Sequence, residues 1–576
     1  MQAAESWLTS QSLYASGHYD EALARLDQWL QSAPSHQQAI ELAALCLHEL
    51  HHAPPNEQPD AQAGPHPHHR PVDRLEALNR LGSWFYGRRQ LPQAQHTFEL
   101  ALSIQPDWPP ALGNLGLVLR EQRREPEAEA ALRRALAIAP DYVPARNNLA
   151  VLLWQMKRLN EAEAEYHEIL RLQPHYPLAL NNLGLVLIDL GRPRDAEAAF
   201  RHALAIDATT PEMHNNLGNA LNRQGRSNEA IAAYRQALAL RPDYTTAGGN
   251  LAALLLGLGA FEEGWRLYES RHGESADVAT VKLPPIPYPQ WRGEPLEGKS
   301  LLVWPEQGYG DLLQFCRYLP MLKARGVARL GVACPPALKR LFESLEGVDA
   351  IHELDGKSTI PGHDYWCLML SLPMHFGTTL DTVPARTPYL RASADLTRAW
   401  RARLPAGGFK VGLVWAGDPR THDRGMSAID QRRSLPARAL LPLLRLGDVA
   451  NVTDATAITF VSLQKGAASQ PQIDDLPPHL RPFDPMSDVR DFADTAAIIE
   501  CLDLVISVDT SVAHLAGALN KPVWILSRHD GCWRWLRERD DSPWYPTARL
   551  FRQSKPGDWA DVIDRVVQAL ANLRQP

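Results

Sequence analysis

The stretch Asn182-Leu-Gly-Leu-Val-Leu-Ile-Asp-Leu-Gly-Arg-Pro-Arg-Asp-Ala196-Glu-Ala-Ala-Phe200-Arg-His-Ala203 decides the fold of the first half of the chain, because its landmarks return every 34 residues. Its opening phrase recurs as Asn114-Leu-Gly, Asn148-Leu-Ala, Asn216-Leu-Gly and Asn250-Leu-Ala. Its later landmarks recur as Ala94, Phe98 and Ala101, as Ala128, Leu132 and Ala135, as Ala162 and Tyr166, and as Ala230, Tyr234 and Ala237. Pro106, Pro140, Pro174 and Pro242 close the units, with Ala208 standing where the fourth unit lacks its proline. A strict period of this length belongs to a stacked helix–turn–helix solenoid. Small residues let paired helices approach, the aromatic or Leu fills the gap between them, and the proline ends the second helix.

Repeats of this length are of the tetratricopeptide type, and they line a shared groove with one face of every first helix. Asn114, Asn148, Asn182, Asn216 and Asn250 therefore form a row of carboxamides. Each carboxamide offers a donor and an acceptor side by side, which matches one peptide group. The row predicts a protein partner held by its backbone; hydrogen bonding between repeats is the other use of the same amides. Self-association through the repeats is left open.

The chain has 576 residues, too long for one core, and about three or four domains are expected. Its net charge of −7 does not favour nucleic acid as a partner. The six cysteines show no Cys-x-x-Cys spacing, so neither a disulfide frame nor a zinc site is expected. The first residues, Met-Gln-Ala-Ala-Glu-Ser-Trp, predict no signal peptide, and no long apolar run predicts a membrane span. These features predict a soluble, cytoplasmic protein.

The pattern divides the chain as follows. Residues 1–50 hold degenerate repeat helices, with Ala22, Leu26 and Pro34 in register. Residues 51–71 are a loop with six prolines and five histidines, whose histidines lack a frame to fix metal geometry. Residues 72–272 are the solenoid, and 273–298 are a Pro-rich linker or docking segment. Beyond it, short apolar runs alternate with helical patterns, the mark of a parallel α/β sheet. The predicted strands are Ser300–Trp304, Arg329–Ala333, Asp349–Glu353, Tyr365–Leu370, Lys410–Trp415, Ile458–Leu463, Leu504–Val508 and Pro522–Leu526. A break near Thr397–Gly408 separates an N-terminal lobe, 299–396, from a C-terminal lobe, 397–576, which ends in an amphipathic helix.

Three turns carry chemistry. Gly308-Tyr-Gly310-Asp311 follows the first strand and opens a helix, which puts backbone N–H groups at the sheet's carboxyl edge. Asp311 there is either a helix cap or a carboxylate facing the cleft as a general base. Asp509-Thr510-Ser511-Val-Ala-His514 follows the strand Leu504–Val508 and opens a helix of small residues. It reads as an ordinary cap or as an anion site built from hydroxyls and free N–H groups. Val411-Gly-Leu-Val-Trp415-Ala-Gly417-Asp-Pro419 leads to Arg424, Arg432 and Arg433, which can clamp phosphate oxygens or form a solvated basic loop. Trp291, Trp304, Trp366 and Trp415 are expected in the core, while Trp533 and Trp535 are candidates for stacking on a base or sugar.

Over about residues 298–575, Gly308-Tyr-Gly310-Asp311 and Asp509-Thr-Ser-Val-Ala-His514-Leu-Ala resemble the two-lobed GT-B glycosyltransferases of the heptosyltransferase family. The resemblance implies Asp311 as the catalytic base. It implies a nucleotide-sugar donor at Gly308, Gly310, Arg433, Asp509, Thr510, Ser511 and His514; no Asp-x-Asp motif in a suitable loop argues for a metal, so neither metal nor cofactor is expected. Ser511 departs from the family's more usual glycine. Phe261-Glu-Glu-Gly-Trp265, Tyr268-Glu-Ser-Arg271, Trp533-Arg-Trp535 and Asp541-Ser-Pro-Trp544-Tyr-Pro546 resemble bacterial tetratricopeptide proteins fused to such a unit. The architecture is similar to protein O-GlcNAc transferase and to flagellin-modifying glycosyltransferases. What this implies is a protein O-glycosyltransferase that takes an acceptor such as flagellin in its repeat groove. A heptosyltransferase acting on a glycan or lipopolysaccharide, and a non-catalytic repeat scaffold with a degenerate transferase domain, are the rival readings.

Overall fold

The computed structural model describes residues 2–16, 18–32, 36–52, 71–272, 283–306, 308–419, 424–447 and 457–573. The His- and Pro-rich segment read at 51–71 lies, but for its ends, outside the described residues. The chain forms two compact units, Met1–Leu240 and Arg241–Pro576.

In the first unit antiparallel helix pairs repeat: Pro109–Glu121 with Glu125–Ile138, Val143–Gln155 with Leu159–Leu172, Pro177–Asp189 with Pro193–Ile206, and Pro211–Arg223 with Ser227–Leu240. Most of these first helices carry Pro in their opening turn, where the missing N–H would have had no helical partner. The pairs lock through one contact. A Cβ added at Gly82, Gly116, Gly184 or Gly218 would stand 2.5 Å from Phe98, Leu132, Phe200 or Tyr234 respectively. Those four large side chains are buried, flanked by fully buried alanines. The turn inside each pair passes through a left-handed residue, at Arg89, Arg123, Lys157, Gly191 and Gly225, again one period apart. Only two of these five are glycine, so the repeat tolerates the strain of a non-glycine residue there.

A second periodic set runs along the solenoid. Arg124, Arg158, Arg192 and Arg226 each pair with an acid three residues on, Glu127, Glu161, Asp195 and Glu229. The same arginines reach back to the previous repeat, at Gln95, Glu129, Glu163 and Glu197. Single exposed pairs of this kind contribute little, but shared charges in a row align neighbouring repeats.

The second unit opens with the last helix pair, Thr245–Gly257 and Phe261–Tyr268, and a one-turn helix at Glu269–His272. Two all-parallel sheets follow. The first has β1 (Ser300–Trp304), β2 (Arg329–Cys334), β3 (Ala350–Glu353) and β4 (Tyr365–Leu368) in the order β3-β2-β1-β4. The second has β5 (Phe409–Val414), β6 (Ile458–Ser462), β7 (Leu504–Val508), β8 (Val523–Ser527) and β9 (Ala548–Arg552) in the order β6-β5-β7-β8-β9. The eight strands read from sequence fall within one or two residues of these; β9 was not among them. β7 and β8 are buried along their whole length, as strands covered on both faces must be. Strand order reverses between β1 and β4 in one sheet and between β5 and β7 in the other, and ligand crevices of open parallel sheets form at such points.

The last helix pair is built into this unit. Trp265 makes edge contacts with Phe315, Trp533 and Trp544, and Phe261 lies 6.0 Å from Trp544. Arg271 forks onto the buried carboxylate of Glu306 just past β1, with Nε–Oε2 at 2.8 Å and Nη2–Oε1 at 2.9 Å. The Pro-rich segment docks against β4: Trp291 N–H donates to the Trp366 carbonyl at 2.7 Å, and Trp291 is buried. Trp366 and Trp415 are also buried, while Trp304 is half-buried. Among the described residues no helix is long and apolar enough to cross a membrane.

Gly218→Ala is expected to cost the solenoid about 1–3 kcal/mol, because the Tyr234 ring it meets has no room to move. Gly249→Ala has nothing within 4 Å and is expected to stabilise its helix by up to about 1 kcal/mol. Urea unfolding of both variants checks the contrast; equal effects would discard the interlock.

Candidate functional site

The site grows from the carboxyl ends of β1 and β7. After β1 the chain turns at Gly308, whose extended backbone (φ −88°, ψ 168°) starts the helix Tyr309–Phe315. Asp311 sits in the first turn of that helix. Its Oδ2 accepts the Gly308 N–H at 3.1 Å, so it does cap the helix. Its Oδ1 is ion-paired with Arg534, which comes from the one-turn helix Trp533–Trp535 beyond β8. Gly310 is a contact point between helices: a Cβ there would lie 2.9 Å from His514 and 3.5 Å from the backbone of Ser511.

After β7, Asp509 and Thr510 lead into the helix Ser511–Ala518. Thr510 is its N-cap residue but makes no side-chain cap; its hydroxyl shares a 2.9 Å hydrogen bond with Ser507. The Asp509 carboxylate accepts from Trp535 Nε1 at 2.8 Å, and its backbone carbonyl accepts from Arg433 Nη1 at 2.9 Å. Arg433 is held in turn by buried Asp430 at 2.7 Å. Gly417 makes room for this arginine, since a Cβ there would stand 2.5 Å from its guanidinium. Arg432 pairs with Asp530 at 3.3 Å, and the side chain of Arg424 lies outside the described residues.

His514 is buried, stacked on Trp535 with centroids 4.8 Å apart, and its Nδ1 is 3.0 Å from the Tyr545 hydroxyl. Burial lowers its pKa to about 3; Asp509 opposes the shift, and the nearby Arg534, Arg317 and Arg433 reinforce it. At neutral pH the ring is therefore an uncharged hydrogen-bonding group. Behind it, buried Arg317 donates to the carbonyl of Trp544 at 2.7 Å and to the Tyr389 hydroxyl at 2.8 Å. Its guanidinium also lies 4.6 Å from the Tyr545 ring centre, a cation dispersed over carbonyls and π faces.

Gly308, Gly310, Asp311, Arg433, Asp509, Thr510, Ser511 and His514 thus share one region of the second unit, linked by the contacts above. Three residues that the sequence reading gave no such role complete it: Arg534, Tyr545 and, as the partner of Asp509, Trp535. The Trp533-Arg-Trp535 phrase is visible in the sequence, but its tryptophans are packed on protein. Trp535 is fully buried, and Trp533 lies against Trp265 and Tyr268.

The asparagine row is half-buried in the helices of the repeats. Asn114 Nδ2 donates to Asn79 Oδ1 of the preceding repeat at 2.8 Å, and Asn216 Nδ2 donates to Asn181 Oδ1 at 2.9 Å. Asn148 Nδ2 reaches the Gly113 carbonyl at 3.4 Å. Asn182 Oδ1 accepts from its neighbour Asn181 at 3.3 Å. Asn250 lies in the second unit, in the helix Thr245–Gly257. One donor of several ladder amides therefore ties repeat to repeat, and a carboxamide has a second N–H and further lone pairs beyond that use.

Residues 79–143, 181–245 and 215–269 match one tetratricopeptide-repeat model, and 143–209 match another. Residues 490–526, which contain β7, Asp509 to His514 and most of β8, match the model of glycosyltransferase family 9 (heptosyltransferase). The chain is 27% identical over 345 residues to protein FlbA of Caulobacter vibrioides, covering 56% of this chain and 54% of FlbA. It thus spans about half the length of that relative. Among solved structures, pilF of Pseudomonas aeruginosa matches at 22% identity and a TM-score of 0.32, over 35% of this chain and 89% of its own. The tetratricopeptide protein TTC0263 of Thermus thermophilus matches at 28% identity and a TM-score of 0.28, over 32% and 99%. The chain thus joins tetratricopeptide-type repeats to an α/β unit of which residues 490–526 resemble glycosyltransferase family 9.

His514 makes the α/β unit acid-sensitive. In the unfolded chain a histidine takes up its proton near pH 6.5, whereas the folded ring does so only near about 3. Between these values the unfolded state binds more protons, so stability falls as pH falls. From pH 7 to pH 5 the expected loss is about 2 kcal/mol. His272, lowered to about 4 by burial and then by Arg271, acts in the same direction. Melting curves of wild type and His514→Gln across this range should show a shallower slope in the variant; parallel slopes would contradict the assignment.

Proposed function

We propose that this protein is an inverting, metal-independent glycosyltransferase of the GT-B type that moves a sugar from a nucleotide donor to a hydroxyl of a protein acceptor. The observation that carries the reading is the meeting of two aspartate-bearing turns. One follows β1 and the other follows β7, each at the reversal point of a parallel sheet, and Gly310 packs on His514 between them. The match to glycosyltransferase family 9 over the second turn supports it.

In this reading Asp311 takes the proton of a Ser or Thr hydroxyl. The oxygen attacks the anomeric carbon on the face opposite the leaving group, the bond from that carbon to the diphosphate oxygen breaks, and the configuration inverts. The first N–H groups of the helix Ser511–Ala518 and the guanidinium of Arg433 meet the charge that develops on the diphosphate. Preorganised donors of this kind do the work that a divalent cation does in other transferases. The repeats recruit the acceptor, since tetratricopeptide stacks are protein-binding surfaces. Flagellin is one acceptor of the class that this architecture suits. The description of the family model keeps a second reading in view, transfer of a heptose to a lipid-linked glycan.

The first test is calorimetry and thermal shift of the full chain against UDP-, GDP-, ADP- and CMP-sugars, where a bound donor raises the melting temperature. The stabilising donor then serves a mass-spectrometric search for modified protein, with a glycan product favouring the heptosyltransferase reading. No stabilisation by any donor would favour a non-catalytic scaffold. Asp311→Asn is expected to lower transfer by about 100-fold or more with donor binding kept; transfer at the wild-type rate would remove Asp311 as the base.

The ladder predicts a separate phenotype. Asn148→Ala with Asn182→Ala should raise the KM for protein acceptor by about tenfold, the scale of one or two lost hydrogen bonds. Donor hydrolysis should be unchanged, and circular dichroism should show the solenoid intact. Loss of both activities in equal measure would end the recruitment role.

A further inference from the structure

Arg534 stands between the two halves of the site and is bound in a way that leaves it unsatisfied. Its flanks are fixed. Trp533 lies edge-on to Trp265 at 5.3 Å, and Trp535 is held by Asp509 and His514. Arg552 Nη2 ties the Trp535 carbonyl at 2.7 Å, and Leu536, with φ +55°, turns the chain away in a conformation that L-residues seldom adopt. Between these anchors the Arg534 side chain reaches across to Asp311. It is 12% exposed, and its partner Asp311 is 13% exposed. Its guanidinium carbon lies 4.3 Å over the Trp533 ring. One end binds Asp311, Nη1 meets only the Cys532 sulfur at 3.2 Å, and Nε is buried with no hydrogen-bond partner. A thiol is a weak acceptor, so a five-donor fork is matched here to a single carboxylate oxygen.

The pairing also masks Asp311. One of its oxygens is taken by Arg534 and the other by the Gly308 N–H. With both oxygens engaged, the carboxylate has fewer lone pairs to offer an acceptor hydroxyl. A diphosphate offers what the arginine lacks, two adjacent oxyanions in the geometry that a guanidinium binds in bidentate fashion.

We infer that Arg534 is exchanged between two anions: it holds the Asp311 carboxylate before the donor binds and the donor's diphosphate afterwards. The inference rests on the glycosyltransferase reading above. The exchange frees the base at the moment the sugar to be attacked is in place. It also puts a cation on the oxygen that gains charge when the anomeric bond breaks. The proton of the acceptor hydroxyl passes to Asp311 and the electron pair of the broken bond leaves with the nucleoside diphosphate; when that product departs, Asp311 gives its proton to water and Arg534 returns to the carboxylate. Donor binding then precedes acceptor activation.

Competition between the two anions gives the test. Calorimetry of the full chain with UDP, GDP, ADP and CDP would compare wild type, Asp311→Asn, Arg534→Gln, Arg534→Lys and the double variant Asp311→Asn/Arg534→Gln. The nucleotide that binds wild type should bind Asp311→Asn about tenfold more tightly, because its rival for the arginine is gone. It should bind Arg534→Gln about tenfold more weakly, with Arg534→Lys between. The double variant should match Arg534→Gln. If Arg534→Gln fails to fold, Asp311→Asn and Arg534→Lys still decide. Unchanged or weaker binding by Asp311→Asn would overturn the exchange while leaving the transferase reading in place. No binding of any nucleotide to folded wild-type protein would overturn both.

Discussion

The buried fork of Arg271 on Glu306 is the constraint on which the rest of the second unit depends. Arg271 is the last anchor of the helical segment, and Glu306 stands between the end of β1 and Gly308. The same carboxylate accepts the Leu370 N–H at 3.0 Å, and Arg271 also holds Ser371 at 2.9 Å, so the end of β4 is caught in the same knot. β1 and β4 are the two strands between which the first sheet reverses. Removing one partner of a buried pair costs about 3–5 kcal/mol because the other charge is left uncompensated. A pair that expensive to break fixes where the chain leaves β1, and therefore where Gly308 and Asp311 begin their helix. The last helix pair is thus part of the foundation of the Gly308–Asp311 turn, in the same compact unit.

From that foundation the site is assembled as a chain of charges in which few groups are idle. Asp311 answers Arg534, Asp509 answers Trp535 and Arg433, and Asp430 answers Arg433 from the other side. His514 and Arg317 stand behind them, one uncharged because it is buried near three cations, the other charged because arginine cannot give up its proton. The result is a region in which three aspartates and three arginines balance around a buried neutral imidazole.

Most of the fold could be read from the sequence, because both halves repeat a local solution. The solenoid reuses one 34-residue answer, so Gly218 and Tyr234 are legible from Gly184 and Phe200 before any contact is seen. The parallel strands announce themselves as apolar runs, since both faces are covered. β9 escaped because Ala548-Arg-Leu-Phe-Arg552 is an edge strand with arginine at two of five positions. The repeats run on through the last helix pair, yet that pair is grouped with the α/β unit; Phe261 and Trp265 dock it there, a contact no local pattern states. Arg534 is harder still. It meets Asp311 across 223 residues of chain, and the flanking Trp533 and Trp535 mark the phrase in the sequence without stating what the arginine between them pairs with.

The glycines of the site show most clearly what sequence reasoning takes for granted. In sequence, Gly308-x-Gly310 reads as a turn that puts backbone N–H groups at the sheet's carboxyl edge, and Gly417 as part of a loop leading to arginines. Only Gly308 has open space on its Cβ side, with nothing nearer than the Asp311 carboxylate at 3.8 Å. Gly310 is a notch for His514, Gly417 a notch for the Arg433 guanidinium, and Gly517 a notch for the Tyr545 ring. In each, the missing Cβ admits a side chain from a distant part of the chain. Because interiors are close-packed, a methyl at any of the three would displace the side chain it meets as well as disturb the local backbone. Histidine, arginine and tyrosine are therefore positioned by the absence of atoms elsewhere. The region's geometry follows from how closely its helices and loops approach as much as from the charges they carry.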